Sequence, residues 1–223
     1  MINQIPKDEI INKMVETIRV PFEKEGFSLK RGRFFECEDL YGNLQQYEIN
    51  LSKRKGYFSL HLILNIFNKP LLKSVNTILE KALLDEEYPY HESWNDEFIK
   101  ATIKTRVNNC FLAGLADWKC FKEEAESLEE FNKRFFIWLC NFDDFDEIEG
   151  WQAQLLNSVE FALKWFSATA KSNEWIICNT EYPALYLLKV EGRLDELTKK
   201  YEEILLQART KKEVELFYRY MME

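Results

Sequence analysis

The sequence predicts an α+β protein, an antiparallel meander of three to four strands packed by helices on one face, followed by a mostly helical C-terminal part. Three observations predict it. Between Arg33 and Phe67 apolar residues fall at every second position, the period of half-buried strands, and two turn signals, "YGN" and "KRKG", interrupt them. From Ser127 onward apolar residues recur three and four apart, the spacing of amphipathic helices. Strands first and helices afterwards, rather than alternating, place the helices on one side of an antiparallel sheet.

Each element has its own signal. Asp8 caps a first helix carrying Ile10, Ile11, Met14, Val15 and Ile18 at helical spacing, and Pro21 kinks or ends it before a stop at "EGF". The strands pair through short loops at Gly42 to Leu44 and at Lys53 to Gly56, which set Ile49 opposite Cys37 and Leu51 opposite Phe35 and Phe58. Phe35, Cys37, Tyr47, Ile49, Leu51, Phe58, Leu60, Leu62 and Leu64 then share one apolar face. Pro70 opens a second helix with Leu71, Leu72, Val75, Ile78, Leu79 and Leu83 inward. After the loop "DEEYPYHESWNDE", the run "FIKATIKTRV" alternates and reads as a fourth strand. Ser127 with Glu130 makes a capping box ahead of Phe131, Phe135, Trp138 and Leu139. Further helices span Trp151 to Ala170, Tyr182 to Val190 and Leu194 to Ala208, and Thr210 with Glu213 boxes a last one. Residues 1–127 form the helix-and-sheet part and 128–223 the helical part. No Gly/Pro/Ser-rich linker separates them, so the two are expected to pack together, as one domain or as neighbours.

Composition narrows the function. Of the 223 residues 46% are apolar, which excludes a disordered chain, and the net charge of −8 repels nucleic acid unless a local basic patch overcomes it. The five cysteines include no C-x-x-C, so they read as reduced, mostly buried thiols of a bacterial cytoplasmic protein. No signal peptide and no membrane-length apolar run is visible. The seven glycines form no phosphate loop and no G-x-S-x-G occurs, so neither a cofactor nor a nucleophilic enzyme is expected.

The order "EGFSLKRGRFFE", a Gln and "SK" on the following strand, and later "DWKCF" ahead of helices is similar to the DUF4304-like group of bacterial domains of unknown function. There a "GF…R.F" opening leads into antiparallel strands. Trp118 and Lys119 stand where that group often has a tryptophan pair. The resemblance implies a fold over the first two-thirds of the chain and no chemistry.

Two constellations are candidates for a site. On the polar face of the meander, the expected pairing places Glu38, Glu48 and His61 in a row across three strands, with neighbouring Cβ atoms about 4.5–5.5 Å apart. One imidazole and two carboxylates at that spacing suit a divalent cation or acid/base work, in a small metal-dependent hydrolase or metabolite-binding protein. The plainer reading is a solvated face. The second constellation is the loop carrying Tyr88, Tyr90, His91, Glu92, Trp94 and Asp96, where acids flank aromatic rings. Rings provide rigid contact area and acids steer a basic partner, which suits a non-enzymatic binding protein of the immunity or antitoxin kind. "NFDDFDEIEGW" repeats that composition at Asn141 to Trp151. For both stretches the plainer reading is a solvated loop whose rings turn into the core. A basic cluster of Lys30, Arg31, Arg33, Lys53, Arg54 and Lys55 falls at turns and reads as edge protection, with phosphate or acidic peptide as its alternative ligands.

Overall fold

The computed structural model describes residues 6–54, 57–135, 137, 139–142 (backbone only) and 148–223. The chain is α+β, and its contacts form two compact units, Met1–Ile66 with Ala113–Thr169, and Phe67–Leu112 with Ala170–Glu223. Chain order and spatial grouping therefore differ, because each unit draws on two separate stretches.

The first unit begins with α1 (Lys7–Lys24), capped by Pro6, with Asp8 in its first turn rather than at the cap. Pro21 does not end this helix. It lies in the last turn, where only three further residues follow. Phe22 beyond it is fully buried, stacked on Phe35 at 4.7 Å and against Tyr47 at 4.9 Å. The stop comes at Gly26, whose φ of +83° suits a residue without Cβ. Gly26 N–H donates to Glu23 O and Phe27 N–H to Phe22 O, a Schellman closure completed by the Phe22–Phe27 ring contact.

The sheet runs β1 (Ser28–Lys30), β2 (Phe34–Glu38), β3 (Leu44–Lys53), β4 (Phe58–Phe67) and β5 (Phe111–Leu115), with β6 (Leu139–Phe142) pairing Phe58–His61 of β4. Burial alternates along β3 and β4, and Tyr47, Ile49, Leu51, Phe58, Leu60, Leu62 and Leu64 are all buried. The expected faces hold, but the β2–β3 register does not. Phe35 pairs with Tyr47, Cys37 with Gln45 and Glu38 with Leu44. Asp39 causes the difference. Its carboxylate accepts the N–H groups of Tyr41 (2.8 Å) and Asn43 (3.0 Å), and Asp39 N–H donates to Asn43 O. The turn thus closes over Asp39 to Asn43, earlier than the glycine alone implies, and slides the pairing by an even number of residues. Lys55 and Gly56 of the second loop lie outside the described residues; beside them Arg54 N–H donates to Tyr57 O at 2.8 Å.

α5 (Trp151–Ala168) covers the apolar face with Leu155, Val159, Ala162 and Phe166. Its buried Ser158 shares a hydrogen bond of 2.7 Å with Tyr47 Oη, whose ionisation burial opposes. Trp118, in a 3-10 turn at Trp118–Phe121, is buried with its indole N–H on Leu62 O at 2.9 Å. The Ser127–Glu130 capping box forms, but α4 (Leu128–Arg134) stops before Phe135. The expected continuation through Leu139 fails because the edge of β4 pairs with Leu139–Phe142. Trp138 lies outside the described residues.

The second unit is helical. α2 (Lys69–Leu84) starts at Asn68, whose side chain accepts Leu71 N–H, with Pro70 in its first turn. The expected strand at "FIKATIKTRV" is instead α3 (Asp96–Val107). Asn95 accepts Phe98 N–H at 2.8 Å and Asp96 and Glu97 occupy the first turn, so capping and the helix dipole decide a segment whose apolar spacing is ambiguous. α6 (Asn173–Asn179), capped by Ser172, is an addition to the expected set. α7 (Tyr182–Val190) and α8 (Leu194–Gln207) form a hairpin around Gly192, and α9 (Lys211–Met222) closes the unit against α2. Thr210 does not cap α9 with its side chain, and Glu213 turns inward to other partners instead of closing the box. Among the described residues, no helix is long and apolar enough to cross a membrane.

Candidate functional site

The acid-aromatic loop joins α2 to α3, and α9 pins its first half. Asp85 accepts a hydrogen bond from Tyr220 Oη at 2.6 Å and pairs with Arg219; Glu87 pairs with Arg219 at 2.8 Å and with Lys212. These contacts hold both carboxyls below the ordinary carboxylate range, the Tyr220 hydroxyl leading at Asp85 and the Lys212 hydrogen bond at Glu87. Beneath them Glu213 of α9 is buried. Arg106 of α3 grips both its oxygens at 2.7 Å, while Tyr88 and Tyr182 donate hydroxyls at 2.6 and 2.8 Å. Burial pushes the Glu213 carboxyl up, and these hydrogen bonds outweigh it and hold it below its usual value. Burial and the same carboxylate push Tyr88 up to about 12. So Tyr88 is an internal strut, in line with the plainer reading of this loop.

The second half of the loop is different. Tyr88, Tyr90, Trp94 and Phe98 form a chain of ring contacts with centroids 4.4, 6.0 and 4.7 Å apart, the last pair edge to face. Tyr90 is half-buried and donates its hydroxyl to Leu83 O at 2.8 Å. Outward along the chain the rings become accessible, with Trp94 39% and Phe98 52% exposed. His91 is exposed and shares Nδ1 with the Ser93 hydroxyl at 2.8 Å, while Trp94 N–H donates to His91 O. Glu92, Asp96 and Glu97 are exposed and form no ion pair among the described residues. The result is an apolar ridge with carboxylates around it, held on a rigid base. Below the ridge, Phe98, Ala101, Thr102, Thr105 and Arg106 line a shallow hollow of about 290 Å³. Phe98, Arg106 and Glu213 were missed as site residues. The cap signature Asn95-Asp96-Glu97 was the available signal for Phe98, since a helix start puts it one turn from Trp94.

The other candidates do not assemble. With Glu38 opposite Leu44 and Glu48 opposite Phe34, the two carboxylates stand four residues apart along the strand, about 13 Å. His61 is exposed and meets the Ser59 hydroxyl at 3.1 Å. The polar row that does form is Glu36, Gln46 and Asn65, joined by side-chain hydrogen bonds of 2.7 and 3.2 Å. Among the described residues, no group of three His, Cys, Asp or Glu is placed to hold a metal ion. In "NFDDFDEIEGW", residues 143–147 lie outside the described residues, and Ile148 and Trp151 are buried.

The thiols correct one expectation, that they are mostly buried. Cys37 and Cys110 are half-buried, and Cys120 and Cys178 are exposed. Burial, with Asp39 and Asp117 adding, still pushes the Cys37 and Cys120 thiols up, away from the reactive thiolate. No protein-family model matches the chain, and no curated protein and no solved structure matches it.

Proposed function

We propose that this chain is a bacterial cytoplasmic, non-enzymatic binding protein that captures a basic protein through the Trp94–Phe98 ridge, in the manner of an immunity protein or antitoxin. The observation that carries the reading is the division of labour within one loop. Asp85, Glu87 and Tyr88 are engaged internally, while Trp94 and Phe98 stay accessible among carboxylates that form no ion pair among the described residues. Leaving Trp94 39% and Phe98 52% exposed forgoes up to about half of the roughly 1.5–3 kcal/mol that full burial of such a side chain is worth, and a partner's surface recovers it. The unpaired carboxylates select a basic partner and speed its encounter. The resemblance to DUF4304-like domains fits this proposal, since it brings no catalytic residues with it.

Tagged wild-type chain and the Trp94→Ala variant are compared in a pulldown from lysate at low and moderate salt. The expected result is a basic protein held by the wild type, weakened by salt and lost from Trp94→Ala, with the melting temperature lowered by no more than about 4 °C. Capture that is equal in both proteins, or a partner that is acidic, removes the reading.

A further inference from the structure

Away from that ridge, α2 and α3 do not pack flush. A stripe of α2 through Lys73 and Leu84 faces a stripe of α3 made of Lys100, Ile103, Lys104 and Val107, with a groove of about 410 Å³ between them. That volume falls within the range of small-ligand sites. The apolar part of the floor is Leu84, Ile103 and Val107, with Ile103 buried and Leu84 63% exposed, and Asn76, Thr77 and Asn108 stand beside it. Three lysines line it, and none forms an ion pair among the described residues; Glu80 is the one carboxylate lining it. In a chain of net charge −8 this is a local reversal of sign.

Helix stability accounts for two of the lysines at most, and Lys100 stands one turn after Asp96 at ion-pair spacing. Lys104 sits in the last turn of α3, where the macrodipole favours a cation, but Lys73 lies in the N-terminal half of α2, whose first turn holds no acid. Like charges facing one another across a groove repel, and an anion between them relieves the repulsion. The ammonium groups also carry flexible stems that reach over an apolar floor while their heads stay hydrated.

We infer that this groove binds an organic anion with an apolar body, a medium-chain carboxylate or phosphate ester. Its head group sits among the lysine ammoniums, and its chain lies on Leu84, Ile103 and Val107. The site is separate from the partner ridge, so Trp94→Ala leaves it intact.

The test is calorimetry and thermal unfolding of the full chain with decanoate below its micelle concentration. Decanoate is expected to raise the melting temperature by about 3 °C. It should bind more tightly than octanoate, by up to about fourfold per methylene. Affinity should fall roughly tenfold in Lys100→Gln/Lys104→Gln, whose unliganded melting temperature stays close to wild type, and return in the matching Arg pair. The inference is overturned if decanoate produces no shift, or if the Gln variant binds as well as the wild type. Equal binding of decyltrimethylammonium removes the charge argument and overturns it too, and inorganic phosphate matching decanoate does the same for the apolar floor. Binding to anionic phospholipid vesicles without binding free decanoate makes the face a membrane contact, and also overturns it.

Discussion

Glu213 shows how one residue organises its surroundings. A carboxylate without partners has no reason to be buried, and this one is buried because a guanidinium and two phenols converge on it. Replacing it by Gln leaves Arg106 without its counter-charge and is expected to cost about 2–3 kcal/mol, toward the low end for such pairs because Arg106 is a third exposed. The pH dependence follows from the direction of its shift. The folded chain holds this carboxyl below its ordinary value, so the unfolded chain takes up the proton first as pH falls. Its contribution is complete above that value and disappears as pH drops through the folded value. Urea unfolding from neutral pH into acid should therefore show wild type and Glu213→Gln furthest apart at neutral pH and converging as pH falls below the ordinary carboxylate range. A gap that persists in acid means that Glu213 acts through packing alone. Tyr88 belongs to the same cluster, which is why Trp94 and Phe98, and not the whole loop, make the accessible surface.

Elements in this chain are decided by their ends as much as by their apolar period. α3 contains Ile99, Ala101 and Ile103 in alternation, yet Asn95 and two acids start a helix there and only Ile103 among its residues is buried. The α7–α8 hairpin is closed in the same local way. Gly192 has φ of +72°, with its N–H on Lys189 O and Arg193 N–H on Leu188 O. A Cβ at that position meets nothing within 4 Å, so Gly192→Ala costs backbone strain alone, about 1–2 kcal/mol, read as a melting temperature lower by roughly 2–8 °C. A larger loss means that the hairpin has other contacts through this turn. The β2–β3 register belongs to this scale as well. Even displacement preserves which residues are buried but separates Glu38 from Glu48, so Zn²⁺, Mn²⁺ or Mg²⁺ should leave the melting temperature unchanged. A shift with any of them that disappears in Glu48→Gln restores a metal role for this face.

At the scale of the whole molecule, the acidic excess is not evenly used. Arg106, Arg134, Arg193 and Arg219 each hold carboxylates, while Glu92, Asp96 and Glu97 around the ridge form no ion pair among the described residues and three lysines line the groove between α2 and α3. Capture of a basic partner should thus weaken from about 50 to 300 mM salt, whereas decanoate binding, which also rests on apolar burial, should weaken less. Capture that does not respond to salt places the affinity in the rings alone. The sequence by itself determined the α+β class, the buried face of the meander, the helix starts at Pro70 and Ser127, and the stop of α1 at Gly26. Those are short-range properties, written in periods of two or three to four residues and in side chains that satisfy backbone groups beside them. Only the tertiary structure decided the strand at Leu139–Phe142, the inward turn of Glu213 and the exposure of Trp94 and Phe98. Each of these depends on a partner distant in the chain: a free strand edge at β4, an arginine on α3, or helix α9 engaging half of a loop. Local sequence carries no record of which distant group arrives.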